Sequence, residues 1–514
     1  MNLSPIDTFS LILYLAGMLA LGIFFSKRQQ STESYFLGNR QFSGWVIGLS
    51  LVGTSISSVT FLAYPADGFK TAWLRYLPNL VLPLVALAAI FIFLPVFRRH
   101  KLTTAYEYLE LRFGPSIRVY GATAFIIAQI VRISTILYLV AILLHELTGM
   151  STSACIMIAG FFVAAYTIIG GIDAVIWTDV IQTVILILGG CLVLGIVIQK
   201  LPGGIYQIFQ VATEHQKLSL SEWSGGSPKT IRWDFSLLGK TGTMMLLLGL
   251  TNWLTEYSSN QNVVQRYLAA KSTQEARKAV WICTLTSLPI WAFYMFLGTA
   301  LYVFYLQFPS PMATEILEGT QKAERILPWF ILQELPTGIV GIVIAAALAA
   351  AMSSLDSSIN AISTVGIHDL YRRHFKKSLP DSDYLKMAKV ITALSSLLMI
   401  FGAIAILNTE TKTLQDLATI LVSLLGGGLL GLYLIALSVD QCPPKAAWTG
   451  IGATMIFTAY TIAVKNNWIE GTLPFDLYYT TIIANLIMIA GILTGKILFR
   501  KKQQMFSSKE SNSL

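Results

Sequence analysis

Charge is scarce in this chain of 514 residues. Only 12% are Asp, Glu, Lys or Arg, about half the share of an ordinary soluble domain. That excludes a soluble enzyme, a disordered protein and a nucleic-acid binder. Cysteine and histidine are scarce as well, at four and five. Cys155, Cys191, Cys283 and Cys442 lie far apart, with no CxxC and no paired histidine spacing. Neither a disulfide framework nor a soft-metal site is expected. No HExxH, GxSxG or Ser/His/Asp set occurs, and all five histidines fall in loops or near the ends of apolar runs, so catalysis is not expected. Acid is the rarer sign, 27 residues against 36 basic, for a net charge of +9. In a membrane protein such an excess sits in cytoplasmic loops and needs no acidic partner. No motif points to an obligate protein partner.

What fills the chain instead is apolar sequence, 54% of all residues. A bilayer is crossed by a helix of roughly 20 apolar residues. About thirteen such stretches can be drawn, near 7–26, 44–67, 74–98, 119–147, 152–171, 174–199, 237–259, 276–306, 338–365, 384–407, 414–438, 446–465 and 475–498. The predicted class is an all-α polytopic membrane protein whose main partner is the lipid bilayer. The first stretch follows Asp7 and precedes Lys27-Arg28, the reverse of a signal peptide's basic start. That polarity predicts the N-terminus outside and, with thirteen spans, the C-terminus inside. Basic residues cluster in the inner loops this assigns, including Arg98, Arg118, Arg266, Lys376 and Lys377. The outer loops carry Glu146, Glu315, Glu318 and Glu470. Residues 102–113 read as an amphipathic helix on the inner face. Residues 200–236 read as a long outer connection, and 501–514 as a disordered tail.

Two spans are interrupted by polar residues. In 44–67 the run Gly53-Thr54-Ser55-Ile56-Ser57-Ser58 is too polar to face lipid. Unwound backbone survives at that depth only against a cavity, where its carbonyls can hold a cation. Tight packing through small residues is the alternative. In 338–365, Ser353, Asp356 and Ser357 share one helical face at i, i+3, i+4, flanked by Ser354 and Ser358. Hydroxyls and a carboxylate are hard donors suited to Na+, although serines also bond back to their own helix.

Ionisable residues within spans are functional candidates by default. Arg132, with Gln129 before it and Thr135 after, suits an anionic group held bidentately; an ion pair within the bundle is the alternative. Asp179 starts the sixth span. Glu256 either faces a cavity or pairs with an arginine such as Arg266. Arg75 is expected to snorkel to the outer interface. Residues 44–199 and 237–438 make five spans each, both opening on a polar-interrupted helix, as inverted-repeat transporters do.

The strings YTIIGGIDAVIWTDVIQTVI (166–185), NQNVVQRYLAAKS (260–272) and AAAMSSLDSSINAIS (349–363) resemble the solute:sodium symporter family. Within that family the pattern is most similar to the bacterial sodium/sialic acid symporters, through GTSISSVTF with the nearby Pro65, Arg132 to Leu139, and LTTAYEYLELRF. The resemblance implies a LeuT-type inverted five-plus-five fold with Na+ as coupling ion, one or two per cycle. It implies a first Na+ site from the carbonyls of Gly53, Ile56 and Ala350 and the hydroxyls of Ser353 and Ser354. Where the family usually has Ala, this chain has Gly53, a change a carbonyl ligand is expected to tolerate. A second Na+ site is implied at Asp179, Ser353, Asp356 and Ser357. Described second sites carry Ser or Thr where this chain has Asp356, whose carboxylate could bind Na+ more tightly or take a proton. The implied substrate is a carboxylate-bearing sugar, a sialic acid or relative, at Ser55, Ser57, Thr60, Asn79 and Arg132. Asn79 replaces a longer amide and Arg75 an aromatic residue. A neutral-sugar symporter and a solute sensor are the alternatives.

Overall fold

A computed structural model of the chain describes residues 4–26, 31–224, 227–375, 379–407, 427–440 and 442–511. The chain begins with α1 (Pro5–Ser26), then the bent pair α2 (Gly44–Ser55) and α3 (Val59–Lys70), whose axes differ by 59°. There follow α4 (Trp73–Arg99), the short α5 (Ala105–Phe113), α6 (Pro115–Thr148) and α7 (Thr152–Lys200). The second half holds α8 (Gly242–Ser259), α9 (Gln261–Ala269), α10 (Thr273–Gln307), α11 (Ile339–Phe375) and α12 (Asp381–Leu407). Last come α13 (Leu429–Ser438), α14 (Pro444–Lys465) and α15 (Thr480–Ser511). Local signals set many of these ends. The Thr104 hydroxyl caps α5, Pro115 opens α6 at its first turn, and Gly149 closes it in the left-handed region.

Among the described residues, nine helices are long and apolar enough to cross a bilayer, or ten with the bent pair. The expected thirteen stretches relate to these as follows. The eleventh, 414–438, lies mostly outside the described residues. The seventh corresponds to α8, which at 18 residues carries Thr251, Asn252, Thr255 and Glu256 and is too polar to count. The fifth and sixth appear merged in α7, whose 49 residues would run about 74 Å if straight, far more than a hydrocarbon core of about 30 Å. Gly171 breaks it, at φ 57° and ψ −167°, a conformation open to glycine alone. The arms then fold back. Tyr166 Oη donates to Asp356 Oδ2 at 3.0 Å and Thr178 Oγ1 lies 3.5 Å from the same oxygen. A straight helix would separate those two residues by about 18 Å.

The core is built on α11. Of its most apolar window 89% is buried, against 17% for α1. Small residues let it approach its neighbours: a Cβ added at Gly189 of α7 would lie 2.3 Å from Ala346 Cβ. Asp7, which as a sequence signal only flanks the first span, is buried. It accepts from the backbone N–H of Gly338 (2.9 Å) and Gly341 (2.7 Å), placing a carboxylate at the positive end of α11. Outside, large apolar side chains such as Phe9, Leu13, Leu394 and Phe401 are exposed, as a lipid-facing surface requires.

Several basic residues assigned to inner loops are structural. Arg118 pairs with Asp369 (2.6 Å), Glu110 (2.7 Å) and Glu107 (3.4 Å), tying α5 and α6 to α11. Arg98 donates to the carbonyls of Tyr267 (3.1 Å) and Ala270 (3.0 Å). Arg266 lies in α9 and is 1% exposed. Arg75, expected to snorkel, has a carboxylate partner in Asp67 on α3, and its side chain is 26% exposed. Lys27, Arg28, Lys376 and Lys377 lie outside the described residues.

The long connection after α7 is not irregular throughout. It holds a helix, Gly204–Glu214, and two antiparallel strands, β1 (Glu222–Ser224) and β2 (Ser227–Lys229). It is pinned by Lys217, whose Nζ donates to the carbonyls of Phe69 (2.7 Å) and Thr71 (3.0 Å) beneath the ring of Tyr302. Burial pulls this ammonium down to about 7. At the other end, α15 carries helix to Ser511, into the segment whose composition suggested disorder; Lys, Gln and Met there are good helix formers.

Candidate functional site

The break between α2 and α3 places the site. Ile56 takes extended backbone at φ −102°, ψ 109°, and the Ser57 hydroxyl accepts from the Val59 N–H at 3.2 Å, turning the chain into α3. A helix leaves its last carbonyls without intrahelical donors, so those around Gly53 are available to a ligand at membrane depth. The facing surface is α11. Ser354 Oγ donates to the Thr54 carbonyl at 3.5 Å, and Ser357 Oγ lies 3.4 Å from Thr54 Oγ1. Gly53 presses directly on this surface. A Cβ there would meet Ser353 Oγ and Thr183 Oγ1, each at 2.8 Å.

Gly53, Ser353 and Ser354 are thus brought together, with Ala350 one turn earlier on the same face of α11 and Ile56 at the break. All five are buried, while the neighbouring Ser55 at the end of α2 is half-buried. Their chemistry is carbonyl and hydroxyl oxygen, hard and neutral, and it fits Na+. Gly53 keeps the backbone carbonyl that the family's Ala would offer, whereas the reverse change to Ala meets close packing here. The space of a methyl group is taken by two hydroxyls, one of them a Na+ donor.

The second set is different. Asp179 accepts from Ser353 Oγ at 2.7 Å and from Ser50 Oγ at 2.6 Å. Its Oδ2 also accepts from Arg266 Nη2 at 2.7 Å, with side chains 1% and 0% exposed. The same Nη2 bonds Ser357 Oγ, Nε donates to Ser50 Oγ at 2.8 Å, and Nη1 to the Asn262 carbonyl at 2.8 Å. A guanidinium therefore shares two of the oxygens expected to hold a second Na+, Asp179 Oδ2 and Ser357 Oγ. Asp356 stands beside this cluster, held by Tyr166, Thr178 and, at 3.4 Å, Ser357 Oγ. Arg266 is neither the loop charge nor the Glu256 partner that its sequence position suggests, because α9 turns it inward. Its sequence signal was the set of polar residues Gln261, Asn262, Gln265 and Arg266 within one short helix of nine residues, all of them buried. Ser50, Tyr166 and Thr178 gave no signal beyond being polar residues in apolar runs.

The substrate candidates do not form one hydrogen-bonded set among the described residues. Ser55 lies by the thiol of Cys283 on α10. Ser57 and Thr60 line the turn into α3, both buried. Asn79 Nδ2 donates to Tyr64 Oη at 2.9 Å. Arg132 Nη1 lies 3.5 Å from Glu256 Oε1, and Glu256 Oε2 accepts from Asn260 at 2.6 Å. Glu256 therefore takes Arg132 as its partner. Ser58 Oγ reaches the Ile136 carbonyl at 3.5 Å, which places Arg132 one helical turn, about 6 Å, from the break. Gln129, one turn before Arg132, joins Asn262 (3.1 Å), which also reaches Ser358 (3.2 Å).

Residues 35–453 match the Sodium:solute symporter family. The Sodium/sialic acid symporter SiaT of Proteus mirabilis is 32% identical over 503 residues, 97% of this chain and 96% of that protein. The Sodium/sialic acid symporter NanT of Aliivibrio fischeri is 28% identical, covering 96% and 94%. A solved Na+-coupled sialic acid symporter in a substrate-bound, outward-open state superposes with a TM-score of 0.84 at 29% identity, over 96% of this chain and 97% of that one. The architecture is the LeuT-type transporter fold. The broken α2–α3 pair facing the serines of α11, and a family match spanning most of the chain, lead to one conclusion: this multi-pass membrane protein belongs to the sodium:solute symporter family.

Proposed function

We propose that the chain imports a carboxylate-bearing sugar, a sialic acid or close relative, together with Na+, by alternating access. The observation that carries the anion is Arg132, a partly exposed guanidinium one turn from the break. Na+ binds between Gly53, Ile56 and Ala350 carbonyls and Ser353 and Ser354 hydroxyls, holding α2 against α11. Substrate then docks at the unwound segment near Ser55, Ser57 and Thr60, with Asn79 above and its carboxylate on Arg132. Rocking of the bundle opens the site to the other side. No covalent chemistry is involved. In this reading 44–199 and 237–438 are the two repeats, the protein lies in an inner (plasma) membrane, the N-terminus is outside and the C-terminus cytoplasmic.

One observation favours a second reading. The Arg132–Glu256 pair gives the guanidinium a partner within the bundle, as a neutral-sugar symporter would need. Uptake of labelled N-acetylneuraminic acid into proteoliposomes, with an inward Na+ gradient and with K+ in its place, tests the first. Arg132→Ala separates the two. Loss of one charge-assisted bidentate contact, about 1.5–3 kcal/mol, weakens substrate binding roughly 10- to 150-fold while leaving Na+ affinity near its wild-type value. Unchanged substrate affinity supports the neutral reading.

A further inference from the structure

We propose that an apolar cavity behind α11 binds one acyl chain of a membrane lipid, and that this chain braces the Na+-binding face of α11. The brace rests on the Na+-coupled reading above; the lipid site does not.

The cavity measures about 200 Å³ and lies between α1, α6, α7 and α11. It is larger than the roughly 150 Å³ apolar cavity that stays dry and takes up benzene. Of the described residues in its wall none is charged, and Thr148 alone carries a hydroxyl. That hydroxyl is committed to the Leu144 carbonyl at 2.6 Å. A sugar or an ion would find no partner there, whereas an alkyl chain needs none.

The shape suits a lipid tail. Along α6 the wall runs from Leu137 to Thr148, about 16 Å of helix and so about half of a 30 Å hydrocarbon core. It ends at the turn between α6 and α7, where Met150 is exposed. A lipid presents its chain in the same way, from the interface towards the middle of the bilayer. Ile158 of α7 lines the cavity and is 57% exposed, so the slot opens sideways onto the surface that meets lipid.

On α11 the wall is Leu348, Ala351, Met352 and Leu355. These recur at i, i+3, i+4 and i+7, which is one helical face. The Na+ candidates Ala350, Ser353 and Ser354 each follow one of them by two positions, about 200° round the helix. The cavity and the Na+ site therefore lie on opposite faces of the same span. An alkyl chain in the cavity presses on the back of α11 while α2 meets its front, and the unbranched thioether of Met352 adapts to a flexible guest.

The test uses the full chain in nanodiscs of phosphatidylethanolamine and phosphatidylglycerol, doped with a phosphatidylcholine that carries a mid-chain diazirine. After illumination, adducts located by peptide mass spectrometry are expected to concentrate on Leu137, Phe162 and Met352 over Leu394 and Phe401, exposed residues of α12 outside the cavity. Ala159→Phe grows a ring into the cavity from α7 and is expected to abolish the first set and keep the second. Adducts no denser in the cavity than at Phe401, or unchanged in a folded Ala159→Phe protein, would overturn the lipid site. For the brace, 22Na+ binding is measured on protein washed free of lipid in digitonin, whose rigid steroid body is too broad for the slot, with and without uncharged monoolein. Monoolein is expected to lower the Na+ Kd of the wild type at least about fivefold, the lower end of ordinary coupling between two sites, and to leave Ala159→Phe unchanged. An equal wild-type Kd in both conditions overturns the brace. No Na+ binding in any sample overturns the Na+-coupled reading and the brace with it, and the labelling still decides the lipid site.

Discussion

Replacing Asp179 by Asn tests the buried pair most directly. The change keeps size and shape but removes the charge that answers Arg266. The two groups meet at 2.7 Å with essentially no exposure. With charge centres about 4 Å apart and an effective dielectric near 20, their attraction is about 4 kcal/mol. Breaking one side of a buried pair costs about 3–5 kcal/mol, because the remaining charge is stranded. Ser50, Ser357 and the Asn262 carbonyl still solvate the guanidinium, so the expected loss is near the lower figure, about 3 kcal/mol. The assay is thermal unfolding in detergent, with Asp179→Asn, Arg266→Gln and the double variant compared as a cycle. The double variant is expected to be more stable than either single one. A coupling below about 0.5 kcal/mol, the level of ordinary additivity, would refute the reasoning. So would an Asp179→Asn protein as stable as the wild type.

Three further outcomes follow from the geometry. Gly53→Ala places a Cβ 2.8 Å from Ser353 Oγ and Thr183 Oγ1; overpacking of about 1.5 kcal/mol is expected to weaken Na+ binding roughly tenfold, read by 22Na+ titration, and an unchanged Kd would show that the hydroxyls yield freely. Glu256→Gln releases Arg132 from its 3.5 Å partner and is expected to tighten sugar-acid binding by about threefold, under 1 kcal/mol; no change, measured by calorimetry, would mean the pair does not compete with substrate. Lys217 has a folded pKa of about 7 against the usual 10.5. Between those values the unfolded chain holds a proton that the folded chain has lost, so stability rises as pH climbs from 7 towards 10.5 and this contribution is flat below 7. Lys217→Met is expected to remove that slope from a plot of unfolding temperature against pH; an identical slope in the variant would assign it to other groups.

Much of the architecture was legible because membranes impose simple rules on sequence. Apolar length marks the spans, and Gly53 to Ser58 betrayed the break because six such residues cannot satisfy a lipid-facing helix. The boundary between 152–171 and 174–199 falls at Gly171, whose positive φ turns the chain there. Only the convergence of Tyr166 and Thr178 on Asp356 shows how the two arms meet. Charge gave the least secure guidance. Arg98, Arg118 and Arg266 counted equally as inner-loop residues, yet Arg118 ties three elements together and Arg266 is buried. A basic residue near a span end looks the same in sequence whether it meets water or a carboxylate.

The sequence by itself determined that this is a multi-spanning helical transporter with hard oxygen donors on a broken helix and on the serine-rich span opposite. Those features are local: helix, break and donor type follow from neighbouring residues. Tertiary structure alone decided that a guanidinium joins the second donor set. Asp179 and Arg266 are 87 residues apart in the chain, and neither carries a local mark of the other. Their meeting depends on how α9 packs between α2 and α11.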